Sequence, residues 1–164
     1  MTTSEKSGFW RIAQDSGLPC ELVGGGEVDL ASQMCNLLAR YDVQVLFLAG
    51  YLRLLPTDVI DYLGGMVMNT HPALLPRFGG KGMFGLKVHE AVLAAGERQT
   101  GATVHWVTDT YDDGDIIAQE TIEIRDGTTP SELQDQVKAV ERCICVRALD
   151  AVCSANFPAG EKNP

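Results

Sequence analysis

The stretch "MNTHPALLPRFGG", residues 68–80, decides the fold. An apolar run leads into Asn69, Thr70 and His71. Pro72 and Pro76 follow, and then Gly79 and Gly80. The run preceding the triplet reads as a strand buried on both faces, the kind found in parallel sheets covered by helices. Residues i and i+2 of a strand point to the same face, so Asn69 and His71 share one, with His71 where the strand ends. In open α/β sheets, ligands bind outside the carboxyl ends of the strands. The two prolines stiffen the following loop and keep the polar side chains aimed.

An amide and an imidazole side by side suit acyl transfer. The N–H of Asn69 can donate to a developing oxyanion, and His71 can donate to the same oxygen or pass a proton. No Ser or Cys stands in a nucleophile elbow, so direct attack by a substrate amine fits better than a covalent enzyme intermediate. A histidine here can equally cap the loop by bonding a backbone carbonyl, and the triplet alone leaves both readings open. His89 reads as a helix-surface residue. His105 lies in an apolar strand and reads as structural.

Outward from the triplet, "VQVLFLAG" at residues 43–50 is a second buried strand, and "PTDVIDYL" is a short helix with Pro56 near its start. Toward the N-terminus, "FWRIAQDSGL" and "LASQMCNLLARY" are helical. The latter has Leu30, Met34, Leu37 and Leu38 at helical spacing. "PCELV" reads as a strand and "GGGEVD" as a plain flexible loop, in which Glu27 and Asp29 would repel a phosphate. Toward the C-terminus, "KVHEAVLAAGE" is a helix closed near Gly96. "GATVHWVTD" and "DIIAQETIEI" are β-rich runs on either side of a turn. The strongest helix signal follows: Thr129 as N-cap, Pro130 in the first turn, Glu132 completing a capping box, and Leu133, Val137, Val140 and Ile144 as the apolar stripe. The tail "FPAGEKNP" is polar and reads as frayed. Early alternation and two adjacent late strands predict an α/β fold, mostly parallel, with antiparallel strands at the C-terminal end.

The turn "TDTYDDGD" holds Asp109, Asp112, Asp113 and Asp115. It lacks the twelve-residue calcium loop with its closing Glu, and turns favour Asp and Gly for conformational reasons alone. The functional reading needs one carboxylate facing His71, to orient it and raise its pKa. The formal net charge of −9 over 164 residues speaks against nucleic acid and anionic membranes as partners. Five cysteines without a CxxC pair read as reduced, buried thiols in a cytoplasmic protein, with no metal site. No apolar run is long enough to span a membrane, and the N-terminus is neither a secretory nor a transit signal.

"FLAGYLRLLP", "MNTHPALLPRFGGKG", "TGATVHWVTDTYDDGDIIAQ" and "TTPSELQDQVKAVE" together resemble the glycinamide ribonucleotide formyltransferases, folate-dependent enzymes of purine synthesis. The likeness runs from about residue 8 to residue 150. It implies a Rossmann-like formyltransferase fold and transfer of a formyl group from 10-formyltetrahydrofolate to the glycinamide ribonucleotide amine, without a metal. Asn69, His71 and Asp112 fall on the family's catalytic trio. Leu52, Arg53, Leu54 and Leu55 fall on its pterin-holding segment. Asp109, Thr110, Tyr111 and Asp113 lie in the loop that completes that pocket, residues 81–84 in a flexible loop beside the folate, and Glu141 on a glutamate that contacts the ribose. Two departures stand out. After Glu141 the chain reads "RCICV" where the family continues with a histidine and a proline. The family's opening strand, phosphate-cradling turn and helix, and second strand have no counterpart before Met1. The resemblance therefore implies one formyltransferase domain over residues 1–164, N-terminally incomplete, with an exposed sheet edge at residues 43–50 inviting self-association. The competing expectations are a 10-formyltetrahydrofolate hydrolase and a non-catalytic folate-binding remnant.

Overall fold

The computed structural model describes residues 1–24 and 28–156. Most of the "GGGEVD" loop's glycines, with Glu27, and the tail from residue 157 onward lie outside the described residues. The chain divides into two compact units, Met1–Gln44 and Val45–Pro164.

The first unit holds helices α1 (Gly8–Asp15) and α2 (Leu30–Arg40). Each begins where a side-chain oxygen meets a first-turn N–H: Ser7 accepts from Trp10, and Asp29 from Ser32, both at 3.0 Å. Met34 and Leu38, four residues apart, are buried on α2, and Leu30 and Leu37 half-buried beside them. The strand expected at "PCELV" is reduced to one parallel bridge between Thr2 and Leu22. Pro19 has no N–H to donate there.

The second unit runs β1 (Leu46–Leu48), α3 (Thr57–Tyr62), β2 (Val67–His71), α4 (Leu86–Ala94), β3 (Gln99–Trp106), β4 (Ile116–Glu123) and α5 (Pro130–Asn156). Its sheet has the order β1-β2-β3-β4. β1 and β2 are parallel, whereas β2 with β3 and β3 with β4 are antiparallel. The late antiparallel pairing agrees with the expectation, and parallel pairing is confined to β1 and β2. β1 is shorter than the apolar run that announces it, and only Leu48 in it is buried, as suits an edge strand of this sheet.

α5 starts as expected. The Thr129 N–H donates to Glu132 Oε2 at 2.8 Å, and the Glu132 N–H donates back to Thr129 Oγ1 at 3.3 Å. Its stripe of Leu133, Val137, Ile144, Ala148 and Val152 packs on Met68 of β2 and on Ala102 and Val104 of β3, forming the core together with Val92 of α4. Full burial of one such aliphatic side chain is worth about 1.5–3 kcal/mol, so this seam fixes the sheet against the helix. Of the cysteines, Cys20, Cys35, Cys145 and Cys153 are only half-buried and Cys143 is exposed, because α5 turns Cys143 away from its apolar stripe. No helix among the described residues is long and apolar enough to cross a membrane.

At Gly101 of β3 a Cβ would lie 1.8 Å from the Glu120 carbonyl oxygen of β4 and 2.9 Å from Leu74 Cδ2. The carbonyl is backbone and cannot move without parting the strands. Gly101→Ala is therefore expected to destabilise the chain by about 2 kcal/mol, within the range of core overpacking, as read from urea denaturation.

Candidate active site

β2 delivers Asn69 and His71 on one face at its carboxyl end. Thr70 points the other way, and its hydroxyl donates to Glu141 Oε1 of α5 at 2.9 Å. The antiparallel register sets His105 of β3 directly opposite Asn69. His105 Nδ1 lies 2.8 Å from the Trp106 carbonyl oxygen, which can only accept, so Nδ1 carries the proton. His105 Nε2 is then bare and accepts from the Asn69 amide at 3.1 Å. One N–H of Asn69 is spent in this bond, and its second remains for the cavity.

His71 is 3% exposed. Its Nε2–H donates to the Phe78 carbonyl at 2.7 Å, and its Nδ1 faces Asp112 Oδ2 at 3.4 Å. The loop-capping bond left open by the triplet is present, and the same imidazole faces a carboxylate through its other nitrogen. Asp112 also accepts from the Gly80 N–H at 2.8 Å, and its Oδ1 lies 3.6 Å from His105 Nε2. The backbone sets this aim. Asp112 sits at φ 55, in the left-handed region, where aspartate is among the better-tolerated residues. Gly114 follows, where a Cβ would strike the Trp106 carbonyl at 1.9 Å. The "DDG" turn is therefore conformationally required as well as acidic.

Burial holds the His71 pKa below that of a free histidine, although the Asp112 charge and the Phe78 carbonyl pull it upward. The sequence reading expects the carboxylate to raise it; the pull is present, but loss of water around the ring outweighs it. For Asp112, burial pushes upward, yet the neighbouring imidazoles of His105 and His71 and the Gly80 N–H together hold the carboxyl below its usual range.

These groups open onto a cavity of about 610 Å³. Leu52, Arg53, Leu54 and Leu55 form one wall, joined by Thr110 and Tyr111. Met83 and Phe84 line it from the loop before α4, and Glu141 from α5. Asp109 and Asp113 are exposed and are not among the lining residues, nor is Lys81. No cluster of three or more His, Cys, Asp or Glu able to hold a metal ion occurs among the described residues.

Two histidines are placed differently from the sequence reading. His105, read as structural, orients Asn69; the signal that finds it is cross-strand register, which needs the pairing of β2 with β3. His89, read as a surface residue, is 1% exposed and lines the cavity. Its spacing of three and four to Val92 and Leu93 puts it on the inward stripe of α4.

The sheet, its helices and a strand-end cavity holding an amide, an imidazole and a carboxylate define an α/β domain with a polar site at its strand ends. The formyl transferase family model matches residues 27–149. A phosphoribosylglycinamide formyltransferase of Arabidopsis thaliana chloroplasts is 42% identical over 122 residues, covering 74% of this chain and 42% of that protein. Its Vigna unguiculata counterpart is 36% identical over 157 residues, covering 93% and 50%. The crystal structure of phosphoribosylglycinamide formyltransferase from Anaplasma phagocytophilum superposes with a TM-score of 0.83 at 26% identity, over 93% of this chain and 72% of that one. The chain belongs to the formyl transferase family. It spans about half the length of the curated plant relatives.

Proposed function

We propose that this chain transfers a formyl group from 10-formyltetrahydrofolate to the amine of glycinamide ribonucleotide, a step of purine synthesis, as a single formyltransferase domain in a reducing, cytoplasmic setting. The observation that carries the reading is the convergence of Asn69, His71 and Asp112 at one end of the cavity, with an apolar segment along its wall. Leu52 and Leu54 are 56% and 45% exposed, an unfavourable state that a flat heterocycle lying on them would relieve. Residues 52–55 and the backbone of residues 109–113 would hold that heterocycle, and Glu141, braced by Thr70, would accept sugar hydroxyls.

In this reading the free N–H of Asn69 donates to the oxygen that becomes negative when the amine attacks the formyl carbon. A fixed donor aimed at developing charge in a water-poor site is worth far more than the same donor in water. The proton lost by the attacking nitrogen goes to the His71–Asp112 pair and from it to the departing nitrogen. His71, held neutral by burial, accepts it, and Asp112 stabilises the imidazolium. His105 fixes the amide of Asn69 and is a positioning residue.

The test is turnover followed by loss of the formyl donor, with and without the ribonucleotide. Donor consumption that requires the ribonucleotide and yields its formylated product is the expected result. Formate released without the amine would replace the reading by a hydrolase, and donor binding without turnover by a folate-binding remnant.

A further inference from the structure

Thr103 is a fully buried hydroxyl in the middle of β3. The register sets it opposite His71 of β2 on one side and opposite Gln119 of β4 on the other. Directly opposed residues share a face of the sheet, so His71, Thr103 and Gln119 form one row across three strands. The row meets the segment that leaves His71. Thr103 Oγ1 donates to the Ala73 carbonyl at 2.6 Å and accepts from the Leu75 N–H at 3.1 Å. Gln119 Nε2 donates to Thr103 Oγ1 at 2.9 Å and to the Leu75 carbonyl at 3.1 Å. A hydroxyl has one proton and two lone pairs, and an amide nitrogen has two protons, so both side chains are fully used. Ala73 and Leu75 are buried in a loop, where backbone groups lack the partners a ladder would give. The docked segment then runs into the His71–Asp112 pair. The Phe78 carbonyl accepts from His71 Nε2, and the Gly80 N–H donates to Asp112. Leu75 also packs on Gly79, where a Cβ would lie 2.6 Å from Leu75 Cδ2 and 3.1 Å from Asp112 Cβ. A shift of Leu75 is therefore felt at both members of the pair.

We propose that Thr103 and Gln119 are positioning residues that decide which nitrogen of His71 carries the proton. For turnover, the inference rests on the formyl-transfer reading above. In a neutral imidazole, the bond made by one ring nitrogen sets the state of the other. With the loop docked, the Phe78 carbonyl keeps the proton on Nε2, and Nδ1 is bare and able to take the proton of the attacking amine. With the loop released, Phe78 withdraws. The proton then moves to Nδ1, where the Asp112 carboxylate accepts it, and the nitrogen that serves as base is occupied. The other ionisable groups around the ring, His89 of α4, His105 of β3 and Glu141 of α5, are left in place by a change at Thr103 or Gln119.

The experiment reads the ring nitrogens directly, by nitrogen-15 NMR of the full chain labelled at its 3 histidines, with His71→Gln identifying the His71 signals. The spectra are taken at about pH 8, where burial keeps His71 neutral. The parent is expected to show the Nε2-protonated form. Thr103→Val keeps the side-chain shape but loses the hydroxyl, and should move His71 toward the Nδ1-protonated form. Gln119→Met should do so in part; because Gln119 is exposed, this variant tests the idea even if Thr103→Val does not fold. Thr103→Ser keeps the hydroxyl and should resemble the parent. In turnover, Thr103→Val is expected to lower kcat about tenfold with the KM for the formyl donor within about twofold, as for a misplaced catalytic group. Parent-like nitrogen shifts in folded Thr103→Val, or in Gln119→Met where the valine variant does not fold, would overturn the proposal. So would a serine variant as impaired as the valine one, or a loss shared equally by kcat and donor affinity. The two readings fail separately. A proton moved to Nδ1 in a chain that never formylates the ribonucleotide keeps the positioning role and removes the substrate. Parent-like shifts and formylation in both variants remove the positioning role and keep the substrate.

Discussion

His71→Ala is expected to lower kcat by about 10²-fold or more while leaving the KM for the formyl donor nearly unchanged. The imidazole shares its face with Asn69, and its Nδ1 points at a carboxylate 3.4 Å away that can stabilise the cation it becomes. In the proposed reaction its removal leaves the proton of the attacking amine to Asp112, whose carboxyl is held below its usual range and is therefore a poor base, or to His105, whose Nε2 is engaged by Asn69. The cavity wall at residues 52–55, proposed above to hold the donor, lies outside this network, which is why binding should survive. Alanine also strands the Phe78 carbonyl and empties a buried site, so a loss of activity alone could reflect a shifted loop. His71→Gln separates the two. A glutamine amide can still donate to a carbonyl but cannot take a proton at neutral pH. If His71→Gln folds like the parent and keeps most of its kcat, proton transfer through His71 is wrong.

How much of this site was legible in the sequence depends on how local each relation is. The shared face of Asn69 and His71 follows from a period of two, and the stiff loop after them from two prolines, so both are visible in "MNTHPALLPRFGG". The capping box at Thr129 and Glu132 is equally local. The partnership of Asn69 with His105 spans thirty-six positions and exists only through the β2–β3 register, so an apolar strand offers no reason to single out its one histidine. Thr70 with Glu141 is further still, joining a strand end to the middle of α5. His89 shows a different failure. The periodicity that buries it was present, but a histidine among Lys87 and Glu90 reads as polar surface unless Val92 and Leu93 are weighed first. The residues named from resemblance divide in the same way. The leucines at positions 52–55 line the cavity, whereas the Asp109 and Asp113 side chains turn to solvent, as expected if that loop acts through its backbone.

Asp112→Asn is the second large effect, again about 10²-fold in kcat, and it carries a pH signature that a merely structural role would not produce. The carboxamide is nearly isosteric, and its oxygen can still accept from the Gly80 N–H, so the turn should keep its shape. What it lacks is charge. Burial holds the His71 pKa below 6.5, and the Asp112 charge is the largest influence raising it. With the charge removed, burial acts with less opposition and the His71 pKa falls further. If neutral His71 is the base, the parent loses activity as pH drops through a value below 6.5, and the residual activity of Asp112→Asn persists to lower pH. Asp112 itself titrates below 3.8, so it stays ionised throughout that window and is not the source of the limb. The same signs govern stability: a histidine buried as the neutral form favours the folded state fully above pH 6.5 and progressively less as pH falls toward its lowered value. Titration of the substrate amine contributes equally to both enzymes and cancels in the comparison. The measurement is kcat/KM against pH for parent and variant at matched ionic strength. An acid limb that moves upward in the variant, or stays in place, would show that the limb is not set by His71 under the influence of Asp112.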